Sequence, residues 1–168
     1  VVRPAQILQD LERIVRDTFP RNIVLQVDIP NDVWSLEGDA TQIHQILMNL
    51  CVNARDAMPQ GGMLSLSIRN RLVDEVFAGM NAESKPGPYV VFQVEDMGQG
   101  ISPEIQERIF EPFFTTKDPG QGTGLGLSTV FSIIRGHSGF FNVYSEPGKG
   151  TKFKVYLPAL LAEDDVED

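Results

Sequence analysis

Asn49, Asn53 and Asp56 are separated by four and then three residues in a stretch whose apolar residues recur at helical intervals. That spacing projects two amides and a carboxylate from one flank of a helix. Oxygens of this kind suit a hard cation that keeps several waters, as Mg²⁺ does beside a nucleotide; the same pattern also suits a solvated helix face. Farther along, Asp96, Gly98, Gly100 and Ile101 follow directly on an apolar strand. A carboxylate there can accept hydrogen bonds from an exocyclic amine such as that of adenine, and the glycines let the backbone approach a flat ligand. A tight turn held by its Asp is the alternative.

A third group starts at Phe113, Phe114, Thr115, Thr116 and Lys117 and runs into Gly122, Thr123, Gly124, Leu125, Gly126 and Leu127. Glycines ahead of a helix start direct free N–H groups and the positive helix end at an anion such as a phosphate, and Lys117 adds a charge. The spacing fits neither the P-loop nor the dinucleotide fingerprint. The last group, from Ser145 to Phe153, reads as a hairpin turn that needs no ligand. Its Thr151 hydroxyl falls beside Asp96 if the two strands are neighbours.

These residues sit in a chain of 168, 42% hydrophobic and 22% charged, the profile of one globular domain. With 14 Lys+Arg against 23 Asp+Glu the formal charge is −9, so the surface repels phosphate backbones and anionic lipid; nucleic-acid and membrane binding by this stretch are excluded as functions. No apolar run approaches the roughly 18 residues of a membrane span, and no basic-then-apolar leader opens the chain. The single cysteine, Cys51, cannot form an internal disulfide or a thiolate metal cage, which points to a reducing compartment, the cytoplasm, and to a small core residue.

The elements that must position the four groups follow from periodicity. Ile7, Leu8, Leu11, Ile14 and Val15 predict an amphipathic helix from Pro4 to Thr18, stopped by Pro20. Ile23, Leu25 and Val27 alternate as in a strand, with which a segment at Val33 to Ser35 could pair. Asp39 and Gln42 form a capping box opening a long helix to about Met58, whose stripe is Ile43, Ile46, Leu47, Leu50, Ala54 and Ala57. Strands are predicted at Met63–Arg71 and Tyr89–Val94 with a loop between them, a short helix starts at Ser102 and Pro103, and Phe110 to Gly124 reads as a long mobile loop. A helix over about Leu125–Arg135 and strands at Gly139–Ser145 and Thr151–Leu157 close a domain spanning 1–160, leaving 161–168 as an acidic tail or linker.

In their order and spacing these motifs resemble the catalytic and ATP-binding domain of sensor histidine kinases in the GHKL superfamily. Asn49–Ala57 corresponds to the N box, Asp96–Gly100 to the first glycine box, Phe110–Phe114 to the F box, Gly122–Leu127 to the second glycine box, and Gly148–Phe153 to the terminal element. The resemblance implies an α+β fold, a two-layer α/β sandwich with helices packed on one face of a mixed sheet (the Bergerat fold) and a mobile lid. It implies ATP and Mg²⁺ as cofactors, with Asn53 on the metal and Asn49 assisting, Asp96 on the adenine amine with Thr151 nearby, and Gly98, Gly100 and Ile101 bordering the base. Thr115, Thr116, Lys117 and the Gly122–Leu127 stretch would close over the phosphates, with Asp56 and Phe113 also among the nucleotide-binding residues.

Two departures carry information. Hydrolytic relatives place a glutamate four residues before the metal-binding Asn to activate water; here that residue is Asn49, which has no basic electron pair for the task. Many sensor kinases carry a Lys three residues after that Asn, whereas Asp56 stands here, leaving Arg55 or Lys117 to meet a phosphate. The resemblance further implies a phosphoacceptor histidine on a separate dimerising helical hairpin and a downstream response-regulator receiver. His44 and His137, the histidines of this sequence, lack the acceptor signature and read as helix-surface and turn residues, so no catalytic acceptor or base is expected in the chain itself. A nucleotide-binding module without kinase activity, or a GHKL ATPase or serine kinase, are the alternatives.

Overall fold

The computed structural model describes residues 1–80, 84–106 and 126–160. Helix α1 (Pro4–Thr18) starts with Pro at its first turn and buries Ile7, Leu8, Leu11 and Val15, the positions that its 3.6-residue period assigns to one face. Strand β1 (Ile23–Asp28) follows, then the two-residue strand β2 (Ser35–Leu36) and helix α2 (Ala40–Asp56). Next come β3 (Gly62–Val73), the short helix α3 (Glu75–Met80), β4 (Gly87–Asp96), the one-turn helix α4 (Pro103–Gln106), helix α5 (Gly126–Gly136), β5 (Phe140–Glu146) and β6 (Gly150–Leu160).

The strands form one mixed sheet in the order β1-β3-β4-β6-β2, with β5 also on β6. Among the described strands only β1 and β3 run parallel; β3–β4, β4–β6 and β5–β6 are antiparallel. Inward residues of α1, α2 and α5 meet Leu64, Leu66 and Ile68 of β3, Val90, Phe92 and Val94 of β4, and Phe153, Val155 and Leu157 of β6 in the main core. Helices on one face of a mixed sheet are the two-layer α+β sandwich that the family resemblance implies. Cys51 is fully buried in this core, and burial pushes its thiol up to about 12, so it packs as a small apolar residue.

Three sequence expectations are corrected. The segment around Val33 to Ser35 does not pair with β1: β2 pairs antiparallel with the end of β6, Leu36 opposite Ala159. The stretch after β3, read as loop, contains α3, which lays Phe77 and Ala78 over Val73, Tyr89, Val91, Phe140 and Tyr156. This second apolar cluster lies on the sheet face away from α2, since Tyr89 and Val91 alternate with the core residues Val90 and Phe92. Arg71 closes it with its guanidinium 4.2 Å from the Phe77 ring centroid. The capping box is only half formed. The Asp39 carboxylate accepts from the Gln42 N–H at 3.1 Å, but the Asp39 N–H donates to Nε2 of His137, also at 3.1 Å.

That last bond fixes His137. Its Nδ1 lies 2.9 Å from the Ile133 carbonyl, an acceptor, so Nδ1 carries the proton and Nε2 is left to accept. The ring thus ties the end of α5 to the start of α2, seated against the bare face of Gly38, where a Cβ would meet the imidazole at 2.6 Å.

Candidate functional site

Strand β4 ends on Asp96, whose register partners are Leu64 on β3 and Thr151 on β6. Among the described residues the buried polar side chains are Asp96, 7% exposed, and Thr151, 6% exposed. Strand pairing alone brings these two residues together, as the sequence expected. Desolvation raises the Asp96 carboxyl above the usual carboxylate range; the Gly98 and Thr151 backbone N–H groups oppose that rise, and the Glu95 charge adds to it. The Gly98 N–H is 2.8 Å from Oδ1. A buried carboxylate without a cationic partner among these influences is costly to the fold, and such groups concentrate where a ligand uses them.

The glycines around Asp96 admit protein backbone. A Cβ on Gly98 would collide with the carbonyl of Ala57 at the end of α2, and with the Ala57 Cβ at 2.8 Å. The neighbouring Gln99 N–H donates to that same carbonyl at 3.1 Å. Gly100, at φ +73°, and Gly150, at φ +98°, face the carbonyls of Glu146 and Asp96 just as closely. The glycine loop is therefore clamped between the C-terminus of α2 and the β5–β6 hairpin, which fixes Asp96 relative to the α2 flank. The close backbone approach that the sequence assigned to a flat ligand is here taken up by packing.

On α2, Asn49 and Asn53 are both half-buried on the flank that their spacing assigns. The Asn49 side-chain NH₂ donates to the carbonyl of Gly126, the first residue of α5, at 3.3 Å, which turns its Oδ1 away from that bond. Arg55 points elsewhere: its guanidinium stacks 5.2 Å from the Phe19 ring centroid and its Nε pairs with Asp56 Oδ1 at 3.3 Å. These contacts hold Arg55 at the α1–α2 junction. Among the described residues no three His, Cys, Asp or Glu side chains converge as a metal cage. A cation bound here must draw on amide oxygens and on the oxygens of its own ligand, the donor set that Mg²⁺ takes beside phosphates.

Gly126 and Leu127 open α5 beside Asn49. Phe113, Thr115, Thr116, Lys117, Gly122, Thr123, Gly124 and Leu125 lie outside the described residues, as does the 161–168 segment. Ile101 packs partly buried against the main core, and its N–H donates to Ser145 Oγ at 2.7 Å. Ser145 and Gln106 were given no role by sequence reasoning. Ser145 could have been found by counting back from Thr151 across the hairpin turn, since the two are register partners; Gln106 carries no such signal. No helix among the described residues is long and apolar enough to cross a membrane.

Comparison with known proteins agrees with this geometry. Residues 38–161 match the family model described as histidine kinase-, DNA gyrase B-, and HSP90-like ATPase. The sensor kinase CckA of Brucella abortus (strain 2308) is 44% identical over 162 residues, 96% of this chain and 17% of that protein. The chain thus spans less than a third of the curated relatives it matches first. Among solved structures, the catalytic domain of histidine kinase ThkA is similar at TM-score 0.71 and 28% identity, covering 93% of this chain and 92% of that one. Full-length ShkA in complex with AMPPNP is similar at TM-score 0.75 and 25% identity, covering 96% and 31%.

Proposed function

The chain belongs to the histidine kinase-, DNA gyrase B- and HSP90-like ATPase family, and we propose that it is the ATP-binding catalytic domain of a two-component sensor histidine kinase. The observation that carries the assignment is the buried Asp96–Thr151 pair, where the end of β4 meets the start of β6. An adenine edge offers an amine donor and, next to it, the ring acceptor N1. A carboxylate and a hydroxyl on adjacent strands match that edge one for one. With the base there, Asn53 and Asn49 on the α2 flank would hold Mg²⁺ beside the triphosphate. Bound Mg²⁺ neutralises charge on the phosphates; this chain's residues hold, orient and screen them, which is most of what a protein contributes to phosphoryl transfer.

Hydrolysis as the main activity is disfavoured by Asn49, an amide where a water-activating carboxylate would be needed. Its side chain is also tied to Gly126. His137 turns the Nδ1 proton to the Ile133 carbonyl and accepts the Asp39 N–H on Nε2, so neither ring nitrogen is free to act as a nucleophile. The acceptor histidine is accordingly assigned to a separate dimerising helical hairpin, with a response-regulator receiver downstream and the reaction in the cytoplasm. The domain is read as 1–160, with 161–168 an acidic linker. The test mixes the chain with a histidine-bearing hairpin from a related sensor kinase and γ-labelled Mg·ATP. Label on histidine supports the reading. Binding without transfer supports a nucleotide-binding module, and released phosphate or labelled hydroxyls support an ATPase or serine kinase.

A further inference from the structure

The Ser145 hydroxyl ties Thr151 to the β5–β6 turn and to the segment after the glycine loop. It accepts from the Ile101 N–H at 2.7 Å, lies 3.1 Å from the Gly150 carbonyl and lies 2.8 Å from the Thr151 hydroxyl oxygen. The amide of Gln106 braces the same junction, donating to the Ile101 carbonyl at 2.7 Å and to the Ser145 carbonyl at 3.2 Å.

Each of the two hydroxyls carries one proton, and counting protons leaves two arrangements. The Gly150 carbonyl can only accept. If Ser145 donates to it, the remaining lone pair of Ser145 takes the Thr151 proton, and Thr151 presents only lone pairs to the pocket. If Ser145 instead donates to Thr151 over the shorter path, the Thr151 proton is released toward the pocket. The first arrangement satisfies the empty site. The second meets a ligand acceptor placed beside Asp96.

We propose that Ser145 is a specificity-determining positioning residue of the base site: by donating to the Thr151 hydroxyl it turns Thr151 into the hydrogen-bond donor that reads the acceptor nitrogen N1 of adenine. This rests on the adenine reading of the Asp96–Thr151 pair. Ser145 touches no ligand in this scheme and acts entirely through Thr151. The signature is therefore loss of discrimination at N1, with recognition of the exocyclic amine by Asp96 retained.

The experiment is calorimetric titration of the full chain with Mg·ATP and with Mg·1-deaza-ATP, in which a C–H replaces N1. The wild-type chain should favour ATP by roughly two- to tenfold, the range of one neutral hydrogen bond. In Ser145→Ala the two nucleotides should bind within about twofold of each other. Ser145→Thr, which keeps the hydroxyl, should restore the preference. On a Thr151→Val background, Ser145→Ala should have no further effect, because the two substitutions then remove one interaction rather than two. Should Ser145→Ala not fold, Ser145→Cys, nearly isosteric with a weak donor, should show the same loss.

A wild-type ratio near one, or a Ser145 variant with the wild-type ratio, overturns the proposal. Failure of the underlying adenine reading shows up separately: Asp96→Ala would then leave Mg·ATP affinity unchanged. If Asp96→Ala abolishes binding while Ser145→Ala discriminates normally, the base site stands and the Ser145 role falls.

Discussion

Replacing Gly98 by Ala adds one methyl group at the point where the glycine loop is clamped onto α2. The new carbon would lie inside contact distance of the Ala57 carbonyl and 2.8 Å from the Ala57 Cβ. Neither neighbour is a flexible side-chain end, so the loop itself must retreat. Overpacking of this kind costs about 1–3 kcal/mol, and retreat also breaks the Gln99 N–H to Ala57 bond, worth about 1 kcal/mol. A total of roughly 2–4 kcal/mol in a chain of this size lowers Tm by roughly 5–15 °C. Retreat also withdraws the Gly98 N–H from Asp96, so Mg·ATP affinity should fall with Tm. Gly79→Ala is the control: a Cβ there meets nothing within 4 Å, and in a helix the change should stabilise by up to about 1 kcal/mol. Thermal unfolding of the ligand-free variants, with calorimetry of nucleotide binding, reads both effects. If Gly98→Ala unfolds within about 2 °C of the wild type and binds Mg·ATP as tightly, the clamped-loop account is refuted.

Asn53→Ala should weaken nucleotide binding measured with Mg²⁺ more than binding measured in EDTA; equal losses in the two titrations would remove Asn53 from the metal. For Asp96, the folded-state value lies above that of the unfolded chain. Its contribution to the stability of the ligand-free protein is therefore fully present below the ordinary carboxylate value near ~3.9 and is lost as pH rises through the raised value. Asp96→Asn should flatten the Tm–pH curve across that window, and a slope equal to the wild type would contradict the assignment. His137→Ala removes the acceptor of the Asp39 N–H at a solvent-exposed helix start and should cost about 0.5–1.5 kcal/mol, measured by urea unfolding. A wild-type midpoint would show that water replaces the imidazole without loss.

Much of this molecule is legible in its sequence because periodicity and turn chemistry are local. The α1 stripe, except for Ile14, which stays exposed at the stripe's edge, the alternation of β3 and the Asp39 cap all read directly from neighbouring residues. What stayed hidden depends on residues far apart in the chain. The partner of the Asp39 N–H is His137, 98 positions away; Gln42, by contrast, matched a local pattern that tertiary packing overrode. The strand at Ser35 was given the wrong neighbour because a two-residue strand has too little pattern to choose one. Helix α3 lacks a local signal because its six residues include a glycine and no full turn of amphipathic spacing; its Phe77 packs against the Phe140 and Tyr156 rings, far along the chain. At the site, the Asp96–Thr151 pairing followed from strand order. The structural use of Gly98 and Gly100 did not, since a glycine shows that something comes close without showing what. The stacking of Arg55 on Phe19, between residues 36 apart in sequence, is another contact no local pattern announces.

The central claim is that the junction of the end of β4 with the start of β6 is an adenine site joined to a Mg-triphosphate site on α2. Its most direct test is calorimetric titration of the wild-type chain and of Asp96→Ala with Mg·ATP, alongside thermal unfolding of both. The account predicts one Mg·ATP bound per wild-type chain and none detectable on a folded Asp96→Ala variant, because the adenine amine would lose its acceptor in a buried pocket. Wild-type affinity in that variant would contradict it.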